Sequence, residues 1–203
     1  MSGKMKKRVR KSSRVRKPNR RVLNTRNALG DALIELMRER PFEEITVQQV
    51  LDRANVSRAT FYTHYSDKAD LLMGDVDDFW EMASTLLSRR KEVSNRIAPV
   101  RELLAHVAGE QKLHAAMLAS GKLRDVIELG EAHFVRGIER RFSELSNMRQ
   151  VSPQQRTVLA HMFASALFAM LNWWLQHGKN VSATEMDDLY HQMVWWGIGP
   201  HTT

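Results

Sequence analysis

The chain has 203 residues, 43% of them hydrophobic and 27% charged, and no cysteine. That is the composition of a soluble globular protein, and it excludes both a disulfide scaffold and a cysteine-ligated metal. The net charge of +8 is unevenly placed, because residues 1–21 hold 11 of the 31 lysines and arginines and the first acidic residue is Asp31.

The rest of the chain carries 20 basic and 23 acidic residues, so the basicity belongs to an arm and not to the body. Such an arm repels itself, is expected to be disordered, and pairs with nucleic acid or an anionic surface. The N-terminal residues lack the apolar run of a signal peptide. The stretch Val158 to Leu175, VLAHMFASALFAMLNWWL, has spanning length but contains His161, Ser165 and Asn172. It reads as a buried helix, which gives a cytoplasmic protein with no membrane partner.

In chain order, a first helix is predicted from near Asn24, with Leu29, Leu33 and Leu36 on one face and Pro41 ending it. Phe42 and Ile45 dock on the core from the connector. Thr46 and Gln49 have capping-box spacing, so a second helix starts at Val47. Asn55 tolerates the left-handed turn that ends it, and Ser57 caps a third helix running to about His64, with Phe61 and Tyr65 inward. Ser66 is predicted to cap a fourth helix reaching about Arg90 through Leu71, Leu72, Val76, Phe79, Trp80 and Ala83.

An apolar stripe starting from Pro99 joins Val100, Leu103, Leu104 and Val107 to Leu113, Met117 and Leu118, and Gly121 breaks it. A longer helix is predicted from Leu123 to Met148. Two more follow: one begins at Ser152-Pro153 and ends at Gly178, and the last starts at Ser182 or Thr184. The fold class is all-α, about nine helices. A basic arm over 1–21 and a three-helix DNA-binding unit over 22–68 precede a ligand-binding and dimerisation domain over 69–203.

Two helices of about two turns around one joint read as a helix-turn-helix, whose second helix enters the major groove. Its exposed side offers Arg58, Ala59, Thr60, Tyr62, Thr63 and His64, with Ser57 at its start. Arginine can take guanine bidentately, threonine can bond a base or touch a thymine methyl, and tyrosine can reach phosphate. Arg58 and Lys68 each sit in a helix first turn, where the dipole disfavours cations unless an anion binds there too. Arg14, Arg16 and Arg20 of the arm are placed to follow phosphates or enter the minor groove.

The pattern F-x-x-I-T-V-x-x-V-x-x-x-A-x-V-S-R-x-T-F-Y-x-H-Y-x-x-K-x-x-L-L, read from Phe42 to Leu72, strongly resembles the tetracycline-repressor (TetR) family of transcriptional regulators. The resemblance covers about residues 25 to 72. It implies that Thr46, Arg58, Thr60, Tyr62, Thr63, His64 and Lys68 occupy DNA-contacting positions. The family commonly has glycine where this chain has Asn55, and often where it has Ala59, whose methyl alters the surface offered to the groove. Tyr65 replaces a more usual phenylalanine and is expected in the core.

The resemblance further implies a C-terminal domain that binds a small effector and dimerises through its last two helices. Phe79, Trp80, His106, His114, His133 and Phe134 are the candidate pocket residues. An Asp75, Asp77, Asp78 and Glu81 cluster there is compatible with a cationic ligand or with a solvated face. Ala166, Met170, Trp173, Trp174, Tyr190 and Trp196 are the candidate dimer contacts. The expected partners are a double-stranded operator, a second copy of the chain and an unidentified effector.

The leading function is therefore a repressor released from a palindromic operator by a small molecule. The alternative is a DNA-bound protein-interaction factor of the same fold with no effector. No H-E-x-x-H, G-x-S-x-G, phosphate-cradling glycine loop or cysteine nucleophile is present, so no enzyme, metal or cofactor is expected.

Overall fold

The structure, a computed structural model, describes residues 20–177 and 180–197. Among these the secondary structure is entirely helical: α1 (Arg20–Glu39), α2 (Val47–Ala54), α3 (Arg58–Tyr62), α4 (Lys68–Ser84), α5 (Leu86–Arg89), α6 (Val100–Gly109), α7 (Gln111–Ala119), α8 (Leu123–Glu144), α9 (Pro153–His177) and α10 (Ala183–Gly197). Single 3-10 turns lie at Phe42–Glu44 and Ser146–Met148.

The local signals act as their chemistry requires. Thr46 Oγ1 accepts from the Gln49 N–H while the Gln49 side chain accepts from the Thr46 N–H, closing the capping box on α2. Asn55 ends α2 at φ 52° and ψ 46°, the left-handed conformation expected of it. Ser57 caps α3 through the Thr60 N–H. Capping boxes also open α9, between Ser152 and Gln155, and α10, between Ser182 and Glu185.

Several boundaries differ from the sequence reading. α1 begins at Arg20, four residues before Asn24, and α3 ends at Tyr62. The cap of α4 is Asp67, whose Oδ1 accepts from the Ala69 and Asp70 N–H groups, while Ser66 bonds Asp70 from outside the helix. α4 stops at Ser84 because Thr85 leaves the helical region (φ −99°, ψ 2°) and folds its hydroxyl back onto the Glu81 carbonyl at 2.7 Å. The run from 100 to 119 is two helices with a joint at Glu110, Leu118 is exposed, and α8 ends at Glu144.

α1, α2 and α3 pack around Phe61, Leu29, Leu33 and Val50, all fully buried. Arg53 ties α2 to α1 through Glu39 at 2.9 Å. α1 also packs on α4 and α7, so the N-terminal unit sits directly on the larger bundle. In that bundle α8 lies between α4 and α9. The pairs Glu131–Ser165 and Glu139–Thr157 run in opposite senses along the chain, which makes α8 and α9 antiparallel. Trp80, Phe134 and Phe168 meet edge-to-face with centroids 5.5–6.0 Å apart at the junction of these three helices. Gly137 brings α8 against the backbone of Ser84, where a Cβ would overlap the carbonyl oxygen.

α10 packs on α6 through a buried polar knot. Arg96 bonds Glu102 and Asp187, and the Ile97 N–H donates to His191 Nε2 at 3.0 Å. Burial opposes ionisation of Glu102, but its hydrogen bonds from Arg96 prevail and hold it at a pKa of about 2. Burial pushes His191 the other way, below its ordinary value.

Candidate functional site

Two sites are assembled by this framework. The first is the outward face of the N-terminal unit. The five-residue α3 presents Arg58, Ala59 and Tyr62 to solvent, with Ser57 before it, Thr63 after it and Thr46 at the start of α2 also exposed. Thr60 and His64 are half-buried at the edges of this face. Phe61 is what orients α3: it is fully buried and meets Tyr62 edge-to-face at 5.2 Å, so the opposite side of the helix has to face outward. Arg58 Nη2 donates to Gln48 Oε1 at 3.1 Å, which holds the guanidinium across the α2–α3 joint. Arg20 is exposed at the first turn of α1, whereas Arg14 and Arg16 lie outside the described residues.

Lys68 has a different placement from the one its position suggested. Its ammonium donates to the carbonyls of Phe42 at 2.6 Å, Ile45 at 2.7 Å and Glu43 at 3.1 Å, and sits 4.5 Å from the centre of the Phe42 ring. The cation is in the first turn of α4 because three carbonyls of the preceding connector collect it. No anion at the helix start is needed to explain it.

The second site is a partly open cavity of about 280 Å3 lined by α1, α4, α6, α7, α8 and α9. Of the candidate pocket residues, Phe79, Trp80, His106 and His114 line it. Phe79 and His106 stack at 4.7 Å with their planes 27° apart. His133 and Phe134 do not line it. Phe134 lies behind Trp80 in the core, and His133 is buried against α4 with Nε2 at 2.7 Å from Asp77 Oδ1. Both are candidate lining residues by sequence, and spacing alone does not say which side of Trp80 they occupy.

The residues missed by sequence reasoning include Phe168, Leu171 and Leu175 of α9 and a group from α1. Asp31, Ile34 and Arg38 form part of the cavity wall, facing Asp75 and Val76 of α4 and Glu110 at the α6–α7 joint. Arg38 spans the wall with a two-pronged pair to Glu110, Nε to Oε2 at 3.0 Å and Nη2 to Oε1 at 2.7 Å. The acidic cluster of α4 is divided by its helix. Asp77 and Glu81 face His133, Asp78 pairs with Arg26 at 2.8 Å, and Asp75 alone turns into the cavity.

The candidate dimer residues fall into three groups. Trp173 and Trp196 are exposed, at 49% and 78%, and Ala166, Met170 and Trp174 are half-buried. Tyr190 is a core residue of the protomer, buried, with its hydroxyl donating to the Phe163 carbonyl at 2.8 Å. Sequence reasoning passed over Val158, Met162, Leu189 and Met193 as surface contacts, yet all four are exposed. With Trp173 and Trp196 they form one apolar stripe on α9 and another on α10, at spacings of three, four and eleven residues. By length and composition α9 could cross a membrane, with a mean hydropathy of 1.5, and only a third of that window is buried within the protomer.

Comparison with known proteins places these observations. Residues 29–73 match the sequence family described as bacterial regulatory proteins, tetR family, and residues 100–194 match the transcriptional regulator C-terminal region. The uncharacterized HTH-type transcriptional regulators YxbF and YdeS of Bacillus subtilis are 40% identical over 55 residues and 32% identical over 82 residues. These matches cover 27% and 40% of this chain but only 14% and 38% of the two proteins.

The whole fold is similar to that of a TetR transcriptional regulator from Streptococcus agalactiae 2603V, with a TM-score of 0.57 and 24% identity over 86% of this chain and 96% of that one. It is also similar to a putative TetR-family transcriptional regulator from Syntrophomonas wolfei, with a TM-score of 0.63 and 16% identity over 87% and 96%. The dihydroxyacetone kinase operon activator DhaS shares the fold at a TM-score of 0.56 and 17% identity, over 84% and 92%. Sequence family, helix-turn-helix geometry and overall fold converge, and the chain is a member of the TetR family, a DNA-binding transcriptional regulator.

Proposed function

We propose that the protein is a homodimeric repressor that leaves a near-palindromic operator when a small molecule fills the cavity. The reading is carried by the position of the cavity. Its wall includes Asp31, Ile34 and Arg38 of α1, the helix that packs on α2, which in turn meets α3. A ligand in contact with both α1 and α4 has a direct hold on the angle at which α3 is presented. To release DNA it must bind the DNA-incompetent arrangement more tightly than the competent one.

In this proposal residues 1–21 supply phosphate contacts and residues 22–68 read the operator. Base readout falls to Arg58, Ala59, Thr60 and Thr63, with Thr46, Ser57, Tyr62 and His64 at the phosphates or groove edge. Residues 69–203 sense the effector and dimerise. The apolar stripes of α9 and α10 are assigned to a second copy of the chain, because their exposed tryptophans and methionines are residue types enriched at interfaces. A two-fold dimer then sets half-sites about 34–36 Å apart, or a multiple of this. The protein works in the cytoplasm, where its operator is.

Footprinting of the protein on the DNA upstream of its own coding sequence tests the reading. A protected, two-fold symmetric site is expected, with a dimer by light scattering. Loss of a reporter's expression on removing the protein, instead of a rise, would overturn the repressor assignment and leave the DNA-binding one.

A further inference from the structure

We infer that the cavity recognises a ligand with a protonated amine on a small aromatic or apolar body, the amine seated on Asp75. The inference rests on the effector-site reading above and specifies the chemistry of that site.

Three carboxylates line the cavity, those of Asp31, Asp75 and Glu110, against one guanidinium, that of Arg38. Arg38 and Glu110 neutralise each other through their two-pronged pair. The other guanidinium near Asp75 is Arg26, which is bonded to the Tyr65 hydroxyl at 3.0 Å and to Asp78 at 2.8 Å. Asp31 and Asp75 are therefore left without an ion-pair partner among the described residues. Asp75 lies on Gly30 of α1, where a Cβ would overlap its carboxylate, so the absence of a side chain at Gly30 is what lets the acid point inward. Burial, with Asp31 and Asp78 in the same sense and Arg26 opposing, raises the Asp75 pKa.

A half-buried carboxylate with no bonded cation is an unfavourable arrangement, since desolvation penalises the charge and only Arg26, itself bonded to Tyr65 and Asp78, offsets it. The remaining wall supplies the body of the ligand's site: Phe79 stacked on His106, Trp80, Phe168, and aliphatic side chains from α7 and α8. Aromatic faces favour a nearby ammonium over an anion. At about 280 Å3 the space suits one ring or a short chain. A carboxylate ligand would meet uncompensated negative charge, and a neutral one would leave Asp75 as it is.

The test uses the intact chain and three probes of matched size: phenethylamine, phenethyl alcohol and phenylacetate, titrated by calorimetry and by operator binding. The amine is expected to bind at least about tenfold more tightly than the alcohol, the scale of one charge-assisted contact. Phenylacetate is expected to be weakest. Asp75→Asn is nearly isosteric, removes an uncompensated charge and should fold; it is expected to bring the amine to the level of the alcohol. Asp31→Asn should narrow the gap in the same direction. Equal binding of amine and alcohol, or a preference that survives Asp75→Asn, overturns the inference while leaving the cavity as an effector site. Asp75-dependent binding of the amine with unchanged operator affinity upholds the inference and removes the release mechanism. Failure of all three probes at millimolar concentration overturns both.

Discussion

Lys68 separates two explanations of one residue. If its ammonium braces the connector between α1 and α2, replacing it costs stability; if it contacts a phosphate, replacing it costs salt-dependent affinity. Lys68→Met keeps the apolar stem over Phe42 and removes the donors to Phe42, Glu43 and Ile45. Hydrogen bonds to a charged group contribute about 1.5–3 kcal/mol, and half-exposure of the lysine moves the expectation toward the lower end, about 2 kcal/mol. For a chain of this size that is a fall of roughly 4–8 °C in the unfolding midpoint. Calorimetry measures it, and operator affinity against salt measures the alternative. A phosphate contact would make the log–log slope shallower by about 0.9, with the midpoint unmoved. That pair of results would refute the bracing role; a lowered midpoint with an unchanged slope supports it.

Three other perturbations probe separate parts of the fold. Gly137→Ala places a Cβ into the Ser84 carbonyl and 3.0 Å from Ser84 Cβ, so α8 must move off α4 at a cost of about 1–3 kcal/mol. An unchanged urea midpoint would show the contact to be loose. Asn55→Gly should be nearly neutral, whereas Asn55→Val forces a β-branched side chain into the left-handed turn and costs about 1–2 kcal/mol. Equal midpoints for the two would remove the turn argument.

His191 gives a pH dependence whose sign is fixed by its surroundings. Burial lowers its folded pKa, with Arg96 in the same sense and Asp187 and Asp188 opposing, and Nε2 accepts from the Ile97 N–H. The unfolded chain therefore binds the proton first, and stability falls as pH drops through the ordinary histidine value of about 6.5. Stability from Glu102 is lost only further down, from the ordinary carboxylate range toward its folded value of about 2. Between about pH 7.5 and 5.5, His191→Gln should flatten the decline. A decline identical to that of the parent chain would place the responsible group elsewhere.

What the sequence made legible follows from the range of the interactions involved. The capping box at Thr46–Gln49, the turn at Asn55 and the cap at Ser57 each involve partners within four residues, so they can be read from spacing alone. Lys68 is bonded to carbonyls 23 to 26 residues away, and a helix-dipole argument had no access to them. The α4 cap moved by one residue because both Ser66 and Asp67 are good caps, and the sequence does not say which turns toward the first amides. The break at Thr85 was hidden because threonine is compatible with a helix and the apolar pattern continues through Leu87, which is buried.

The cavity was only half visible for the same reason. Periodicity identifies the inward face of α4 and so finds Phe79 and Trp80, but an inward face does not distinguish a wall from a core. Asp31 and Arg38 look like solvent residues on the polar side of α1, and only the docking of α7 against that side makes them wall. α9 presents the converse difficulty. It is apolar on nearly every side, so its pattern cannot separate the side held by Phe163, Leu167 and Leu171 from the side carrying Val158, Met162 and Trp173. In the folded protomer the two sides differ plainly. The first meets α8 and α10, and the second is left exposed among the described residues, which makes it the surface that the proposed dimer would bury.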